Sequence, residues 1–283
     1  MTKILVTGAN GFIGKFLCKK LKSLQMETME FSGDICDTQS FESLQNKDIS
    51  HCFHLAAKTF VPDSWLNPEA FIKTNVSGTQ NILNFCKNEN ISLTYISAYI
   101  YGVPTEIPIS ENTRARPNNP YALSKYLAER LCYFYASKYN ISTTIIRPFN
   151  LYGPGQNEKF LIPSIIKQVI NSKEISVSDL LPKRDYVFIE DVVDALAATL
   201  VKKKNYAVYN IASGVSYSVK EVIDIIQQIA KTDKKIVSKN AERFNEIPNT
   251  IANIKHSKDE LGWYPQYSFT EGIIKTLSTS KII

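Results

Sequence analysis

The chain alternates between short apolar runs and longer segments in which apolar residues recur every three or four positions. Short continuous apolar runs are typical of parallel strands buried on both faces, and the wider spacing is typical of amphipathic helices. The predicted strands are Lys3–Thr7, Glu27–Phe31, His51–Ala57, Ser92–Ser97 and Thr143–Arg147. The predicted helices run to about Leu24, from about Pro68 to Asn88, and from Tyr121 to Tyr139.

This alternation predicts an α/β fold, a Rossmann-type doubly wound parallel sheet with a smaller C-terminal domain. We expect a dinucleotide-binding domain in residues 1–153 and about 184–213. A substrate-binding domain is expected in about 154–183 and 214–283, with the ligand between the two at the carboxyl ends of the strands. The elements predicted beyond Asn150 are helices Ile162–Asn171 and Val219–Lys231 and strands Asp185–Ile189 and Val208–Ala212.

With 44% hydrophobic and 21% charged residues over 283 positions, the composition is that of an ordinary globular protein. No apolar run reaches the roughly 20 residues that cross a bilayer, and the run after Lys3 is too short for a signal peptide. We therefore expect a cytoplasmic protein without membrane contact. The net charge of +6 comes mostly from scattered lysines, which argues against nucleic-acid binding. The five cysteines form no C-x-x-C pair, so we predict reduced thiols and no metal site.

Gly8, Gly11 and Gly14 follow the first predicted strand directly and open the first helix. In such a loop the first glycine allows a tight turn, the second lets a pyrophosphate approach the backbone, and the third lets helix and strand pack closely. The helix N-terminus offers free N–H groups and the positive end of its dipole to the phosphates. The loop therefore predicts dinucleotide binding.

The choice between NAD and NADP stays open. An acidic residue near the end of the second strand favours NAD, whereas an arginine there favours NADP. Glu30 lies near that end, and neither Phe31 nor Ser32 is an arginine. Asp34 and Ile35, just beyond, are better placed to meet the adenine.

Tyr121 and Lys125 are four residues apart on a predicted helix, so their side chains share one face. An ammonium one turn away is expected to lower the pKa of the Tyr121 phenol, which is near 10 in a free tyrosine. Tyr121 could then act as a general acid/base toward a sugar hydroxyl or ketone, and Lys125 could bond the nicotinamide ribose. Ser97, at a predicted strand end, could hold the reacting oxygen against the phenol. The alternative is a packed tyrosine and a surface lysine without catalytic roles.

These residues and further motifs along nearly the whole chain resemble the extended short-chain dehydrogenase/reductase family, which comprises nucleotide-sugar epimerases, dehydratases and reductases. The motifs are Thr7–Gly14, Gly33–Asp37, His54–Ala57, Asn75–Thr79, Tyr101–Gly102, Asn119–Tyr121, Arg147–Asn150, Arg184–Tyr186 and Leu261–Trp263.

The resemblance implies a catalytic triad of Ser97, Tyr121 and Lys125. The cofactor site that it implies consists of Gly8, Asn10, Gly11, Phe12, Ile13, Gly14, Asp34, Ile35, Leu55, Ala56, Ala57, Asn75, Tyr121, Lys125 and Pro148. The sugar-nucleotide site that it implies consists of Ser97, Asn150, Pro163, Arg184 and Arg243. The two arginines suit a diphosphate, although Arg184 could instead be a surface residue paired with its neighbour Asp185.

One departure from the family narrows the reaction. Its dehydratases and decarboxylases carry an acidic residue two positions before the Tyr101–Gly102 pair, where this chain has Tyr99, and Ala98 is not acidic either. A reaction that removes the C5 proton would lack its base, so dehydratase activity is not expected.

Two oxidoreductive activities remain. In the first, NAD(P)H delivers a hydride to a nucleotide-linked 4-keto-6-deoxy hexose while Tyr121 protonates the alkoxide, giving a precursor for surface polysaccharide. The stretch 147–163 is similar to 6-deoxy-hexose 4-ketoreductases and favours this activity. In the second, a UDP-hexose type of 4-epimerase, tightly bound NAD takes the C4 hydride and returns it to the other face.

A non-catalytic nucleotide-binding protein would show a decayed triad, whereas all three residues are present. Members of the family often dimerise through the helix that carries Tyr121, so a homodimer is expected.

Overall fold

The computed structural model describes residues 2–201, 204–241 and 246–279. Its strands are β1 Lys3–Thr7, β2 Thr28–Phe31, β3 Ile49–His54, β4 Ser92–Ile96, β5 Thr143–Pro148, β6 Asn150–Tyr152, β7 Glu174–Val177, β8 Lys183–Phe188, β9 Tyr206–Ile211, β10 Ser216–Ser218 and β11 Lys235–Ser238. Its α-helices are α1 Phe12–Ser23, α2 Val61–Leu66, α3 Pro68–Ile72, α4 Gly78–Asn88, α5 Pro120–Tyr139, α6 Leu161–Asn171, α7 Ile189–Ala198, α8 Val219–Ala230 and α9 Phe269–Thr279.

Six parallel strands form the central sheet in the order β2-β1-β3-β4-β5-β9. Because successive side chains of a strand point to opposite faces, Ile4 and Val6 enter one hydrophobic cluster and Leu5 enters another. Helices α1 and α7 cover the first face, and α4 and α5 cover the second. This arrangement confirms the predicted doubly wound α/β fold.

Two small sheets lie outside the central one. Strands β10, β8 and β6 form the first, and β11 and β7 form the second. The strand predicted at Asp185–Ile189 is thus β8 of a small sheet, whereas the one predicted at Val208–Ala212 is β9 of the large sheet. The proposed division into two domains stays a prediction.

The helix predicted from Pro68 to Asn88 is divided by a π-helical turn, Lys73–Ser77, which separates α3 from α4. The short helix α2 and the helices α7 and α9 were not predicted. Helix α7 begins directly after Phe188, the last residue of β8, so one apolar run spans both elements and hides the boundary.

Within the described ranges, no helix is both long enough and apolar enough to span a bilayer. The same part of the chain holds no group of three or more histidine, cysteine or acidic side chains arranged to bind a metal ion. The cysteines are free thiols: Cys18, Cys36, Cys52, Cys86 and Cys132.

Candidate active site

The glycine loop has the geometry that its sequence predicts. Gly8 has φ +70°, and a Cβ atom there would lie 2.7 Å from the backbone nitrogen of Ala56. A Cβ atom on Gly14 would overlap the carbonyl oxygen of Gly8, so the close approach of α1 to β1 requires glycine. Gly11 precedes α1 without a side-chain cap, which leaves the first amides of the helix available to an anion. These features fit the pyrophosphate of a dinucleotide.

The neighbouring cofactor candidates lie around this loop. Asn10 is exposed on the loop, and Phe12 and Ile13 open α1. Asp34 is exposed and its carboxylate accepts a hydrogen bond from the Cys36 amide at 2.8 Å.

Two residues near the end of β2, Ile35 and Glu30, have neighbours within the protein that bear on their predicted contact with the cofactor. The Ile35 side chain is 5% exposed and packs against Gly78, so an adenine contact would have to use its backbone. Glu30 lies beside Cys18 of α1, where burial and then the Glu30 charge raise the pKa of that thiol to about 11.

A buried network joins the end of β1 to the end of β3. Thr7 Oγ1 lies 2.8 Å from His54 Nδ1 and accepts a hydrogen bond from the Ala56 amide at 3.2 Å. His54 Nε2 lies 3.0 Å from Thr79 Oγ1. Burial, followed by the charge of Lys125, lowers the pKa of His54 to about 3, so this histidine is neutral at physiological pH. The other predicted cofactor residues nearby are Leu55 and Ala57, which are partly exposed after β3, and Pro148, which is buried at the end of β5.

Asn75 lies in the π-helical turn and connects two segments of the site. Its Nδ2 donates to the Ser124 hydroxyl at 2.9 Å and to the Lys58 carbonyl at 3.0 Å, and its Oδ1 accepts from the Lys58 amide at 2.9 Å. The Ser124 hydroxyl in turn donates to the Tyr121 carbonyl at 2.7 Å. Asn75 therefore fixes the loop after β3 relative to the start of α5, and a π-helical turn is often found at such functional positions.

The start of α5 follows from its sequence. Asn119 Oδ1 accepts a hydrogen bond from the Ala122 amide at 2.8 Å, and Pro120 occupies the first helical position. This start places Tyr121 in the first turn and Lys125 in the next, on one side of the helix. The Lys125 Nζ atom lies 4.3 Å from the ring centroid of Tyr95 on β4. The helix face that carries both predicted catalytic residues is thus packed on the strand that leads to Ser97.

Ser97 follows β4 directly and is 3% exposed. Its amide donates to the Ile146 carbonyl at 2.7 Å, which continues the pairing with β5. Its hydroxyl is buried and has no hydrogen-bond partner within the described residues. A buried hydroxyl without a partner costs free energy, so it indicates a partner outside the described residues.

The prediction that Lys125 lowers the pKa of the Tyr121 phenol is wrong. Burial raises the pKa of the Tyr121 phenol instead of lowering it. Burial also lowers the pKa of Lys125 to about 7, although Cys132 and Glu129 act in the opposite direction. Helical spacing indicates which groups are neighbours, but it does not show how far they are desolvated.

Sequence reasoning did not identify two residues behind the triad. The ring face of Tyr95 contacts the Lys125 ammonium. Glu129, one turn after Lys125, accepts hydrogen bonds from Nε and Nη2 of Arg147 at 2.9 and 2.6 Å. The Tyr-x-x-x-Lys-x-x-x-Glu spacing on α5 was the available signal for Glu129. Tyr95 gave none, because an aromatic residue in a buried strand looks like core.

The predicted substrate residues lie on the small sheet and beside it. Asn150 opens β6, and Pro163 lies in the first turn of α6. Arg184 on β8 pairs with Glu246 and donates to the Ile247 carbonyl at 2.5 Å. Arg243 lies outside the described residues.

Asp185 is not the partner of Arg184. Its carboxylate is fully buried and accepts hydrogen bonds from the amides of Ser213, Gly214 and Ala252 at 2.8 to 3.0 Å. Burial raises the pKa of Asp185 to about 6 despite these bonds. This residue joins three segments and is structural.

Tyr99 occupies the position of the family's acidic residue. Its hydroxyl donates to the Gly102 carbonyl at 2.7 Å, and its ring lies edge-on to Phe149 at 5.2 Å. Burial raises its pKa, with Arg184 opposing, so the phenol stays protonated at neutral pH. A carboxylate base is therefore absent at this position, as the sequence indicates.

The comparisons with known proteins agree with this geometry. The model of the NAD dependent epimerase/dehydratase family matches residues 4–212. GDP-6-deoxy-D-mannose reductase of Pseudomonas aeruginosa is 30% identical, covering 98% of this chain and 96% of the relative. A putative UDP-glucose 4-epimerase of Methanocaldococcus jannaschii is 31% identical, covering 98% of both chains.

Two solved structures are similar over nearly the whole chain. RMD from Pseudomonas aeruginosa complexed with NADPH superposes with a TM-score of 0.91 at 29% identity, covering 99% of this chain and 98% of that one. UDP-glucose 4-epimerase from Thermotoga maritima with UDP-glucose gives a TM-score of 0.94 at 26% identity, covering 99% of both.

The chain therefore belongs to the NAD dependent epimerase/dehydratase family. It is an NAD(P)-dependent enzyme of the extended short-chain dehydrogenase/reductase type.

Proposed function

We propose that this enzyme is a 4-ketoreductase that acts on a nucleotide-linked 4-keto-6-deoxy hexose. The cofactor would bind at the glycine loop and the ends of β1, β3 and β4, and the sugar nucleotide would bind toward the small sheet with Asn150, Pro163 and Arg184. When bound, NAD(P)H supplies a hydride for the C4 carbonyl carbon. The product would be a glycosyl donor suited to surface polysaccharide synthesis.

The protein's own residues handle the oxygen of that carbonyl. Tyr121, whose phenol is protonated at neutral pH, donates its proton to the developing alkoxide. Ser97 donates a hydrogen bond to the same oxygen and holds it against the phenol. Lys125 lies one turn away on the same helix, and its charged form would stabilise the phenolate that remains. The raised pKa keeps the phenol in the acid form that reduction requires, and the alkoxide, a stronger base than the phenolate, can still take its proton.

The observation that carries this proposal is the Ser97 hydroxyl, buried at the end of β4 without a partner in the described chain. A carbonyl oxygen of a substrate satisfies it. The resemblance to GDP-6-deoxy-D-mannose reductase, over 98% of the chain, supports a keto sugar as the source of that oxygen.

A second candidate is an NAD-dependent 4-epimerase of UDP-hexoses. The exposed residue Ser32 after β2, where an arginine would favour NADP, supports it. The similarity to the UDP-glucose 4-epimerase from Thermotoga maritima supports it as well. The same three catalytic groups would then serve both directions of hydride transfer.

Two parallel assays test the proposal. Purified protein is incubated with GDP- or dTDP-linked 4-keto-6-deoxy hexoses and NADH or NADPH, and the absorbance of the reduced cofactor is followed. UDP-hexoses are incubated without added cofactor and analysed for inversion at C4. Stoichiometric consumption of reduced cofactor supports the reductase, inversion without consumption supports the epimerase, and neither activity would reject both.

Tyr121→Phe gives the variant for these assays, with Tyr126→Phe on the same helix as its matched control. Loss of the proton donor is expected to lower turnover by about 10²–10⁴-fold and to leave cofactor binding nearly unchanged. Tyr126→Phe should keep full turnover. Full activity in Tyr121→Phe would remove this phenol from the mechanism.

We also propose a homodimer in the cytoplasm. Leu123, Leu127 and Phe134, which are 38 to 47% exposed, lie along one face of α5 and suit burial against a second copy. The five free thiols are consistent with a reducing compartment. Light scattering of the wild type and of Leu127→Glu tests the dimer, because the variant should be monomeric if this face is the interface.

A further inference from the structure

Lys125 is an ammonium group in a nearly dry environment. Lys125 is 2% exposed, and the neighbouring Tyr95 is 1% exposed. The Nζ atom lies 4.3 Å from the centroid of the Tyr95 ring, within the range in which a cation is attracted by an aromatic face. The lysine on α5 is thus in direct contact with the π face of a residue on β4.

The surroundings of Lys125 hold few groups that can replace its lost hydration. Strands β3 and β4 and helix α5 pack around it. The titratable side chains that act on it or contact it are His54, Tyr95, Glu129 and Cys132, and Tyr121 lies one turn earlier on α5.

Two of these neighbours, Glu129 and His54, already have partners within the protein. Glu129 accepts hydrogen bonds from Nε and Nη2 of Arg147. His54 is neutral and is held between Thr7 and Thr79. Glu129 and Cys132 also favour the charged form of Lys125, and the Tyr95 ring face is in direct contact with the ammonium.

The hydroxyl of Tyr95 has no part in this contact. It is buried and lies near the side chain of Thr79 on α4. Phenylalanine would retain the ring face and would remove only this hydroxyl. The contributions of the ring face and of the hydroxyl of Tyr95 can therefore be tested separately.

We propose that Tyr95 is a positioning residue of the active site, whose ring face keeps the Lys125 ammonium charged and fixed on the side of α5 that carries Tyr121. The inference rests on the proposed function, because it assumes that Lys125 acts as a cation there. It concerns a contact within the protein, so its test needs neither substrate nor turnover.

The test is a titration of Lys125 by NMR. Protein labelled with ¹³C at the lysine Cε positions is titrated with pH, and the Lys125 signal is identified by its loss in Lys125→Met. Position 95 is then occupied by phenylalanine, 4-fluorophenylalanine or 3,4,5-trifluorophenylalanine, a series that weakens the ring face while nearly preserving its shape. Thermal unfolding of each protein verifies that the fold is retained.

The midpoint of the Lys125 titration should be unchanged in Tyr95→Phe and should fall stepwise with fluorination. For the trifluorinated ring we expect a decrease of about one pH unit, a tenfold change in acidity. Equal midpoints across the series would overturn the inference. A decrease in Tyr95→Phe as large as that in the trifluorinated protein would also overturn it, because the hydroxyl would then be responsible.

Tyr209 provides the matched control. It is fully buried in β9, its hydroxyl has no partner in the described chain, and its ring stacks on His256. Trifluorophenylalanine at position 209 should leave the Lys125 midpoint unchanged. If no keto sugar is reduced but the midpoints still follow fluorination, only the proposed function fails. If reduction occurs and the midpoints do not respond, only this inference fails.

Discussion

Arg147 on β5 and Glu129 on α5 form a buried pair in which one edge of the guanidinium donates two hydrogen bonds to the carboxylate, Nε to Oε1 at 2.9 Å and Nη2 to Oε2 at 2.6 Å. Their side chains are 9% and 3% exposed. Burial disfavours the charge of Arg147, yet the hydrogen bonds and charge of Glu129 raise its pKa. Arg147 Nη1 also donates to the Tyr101 hydroxyl at 2.9 Å. The pair therefore fixes helix α5 to the sheet one turn beyond Lys125.

Breaking this pair should be costly. Glu129→Leu leaves a buried guanidinium without its counter-charge and is expected to lower the free energy of unfolding by about 3–5 kcal/mol. Arg147→Met should cost a similar amount, and the double variant should cost clearly less than the sum. Urea unfolding of the three variants measures this coupling.

The exposed pair Lys220 and Asp224 on α8, joined at 2.7 Å, is the matched control. Asp224→Asn should change the free energy of unfolding by less than about 0.5 kcal/mol, because exposed pairs are screened by water. Additive effects of Glu129→Leu and Arg147→Met would contradict the structural role of the buried pair.

Ser97→Ala should separate stability from catalysis. The hydroxyl makes no hydrogen bond in the described protein, so its removal should leave the free energy of unfolding unchanged or slightly higher. Turnover should fall about 10²-fold, since one donor to the developing alkoxide is lost. Kinetics with the keto sugar and thermal unfolding measure the two quantities.

Ser64→Ala provides the comparison for Ser97. That buried hydroxyl donates to the Val61 carbonyl at 2.6 Å, so its removal should cost about 1 kcal/mol of stability and leave turnover intact. If Ser97→Ala likewise loses stability and keeps its turnover, Ser97 is structural and has no part in the reaction.

His54 predicts a pH dependence of stability. Its pKa is lowered to about 3 in the folded protein and is near 6.5 in an unfolded chain, so the unfolded state binds the extra proton first as pH falls. The stability that His54 contributes is fully present above pH 6.5 and is lost toward pH 3. Between pH 6 and pH 4, the stability advantage of the wild type over His54→Gln should decrease by about 1.4 kcal/mol per pH unit.

The comparison with His54→Gln removes contributions of opposite sign. Burial raises the pKa values of Asp185 and Asp191 to about 6, so the folded state gains protons there before the unfolded state does. These terms are the same in both proteins. Urea unfolding at several pH values gives the difference, and a constant difference would show that His54 is not held neutral by the fold.

Substitutions of Arg184 and Glu246 should change KM for the nucleotide sugar in opposite directions. Arg184→Met removes the proposed diphosphate contact and is expected to raise KM for the nucleotide sugar about 10–100-fold with a smaller change in kcat. Glu246→Gln frees the guanidinium of its partner and should lower KM. Steady-state kinetics measure both, and Arg130→Met on the exposed side of α5 serves as control. An unchanged KM in Arg184→Met would place the diphosphate elsewhere.

Local rules made several parts of this protein predictable from sequence. The strand Lys3–Thr7, the glycine loop and the start of α5 depend on neighbouring residues, such as the Asn119 cap, and the structure has them as predicted. The π-helical turn around Asn75 was missed because it is stabilised by Lys58 and Ser124, which are distant in sequence. These tertiary contacts leave no local pattern.

The direction of the Tyr121 pKa shift could not be read from the sequence for a related reason. Desolvation depends on everything packed around the phenol, whereas the sequence shows only its helical neighbour Lys125. The contact between Lys125 and Tyr95 joins residues thirty positions apart on different elements, so it also required coordinates.

The order of strands in the central sheet has a consequence for biosynthesis. Five of the six strands come from the first 148 residues, and β9, the sixth, occupies an edge. The N-terminal part thus contains the glycine loop, α5 and five strands of the sheet, and the face that α1 and α7 share stays partly uncovered until α7 is translated. Until β9 emerges, the open edge of β5 is the surface at which a nascent chain is most exposed to faulty pairing.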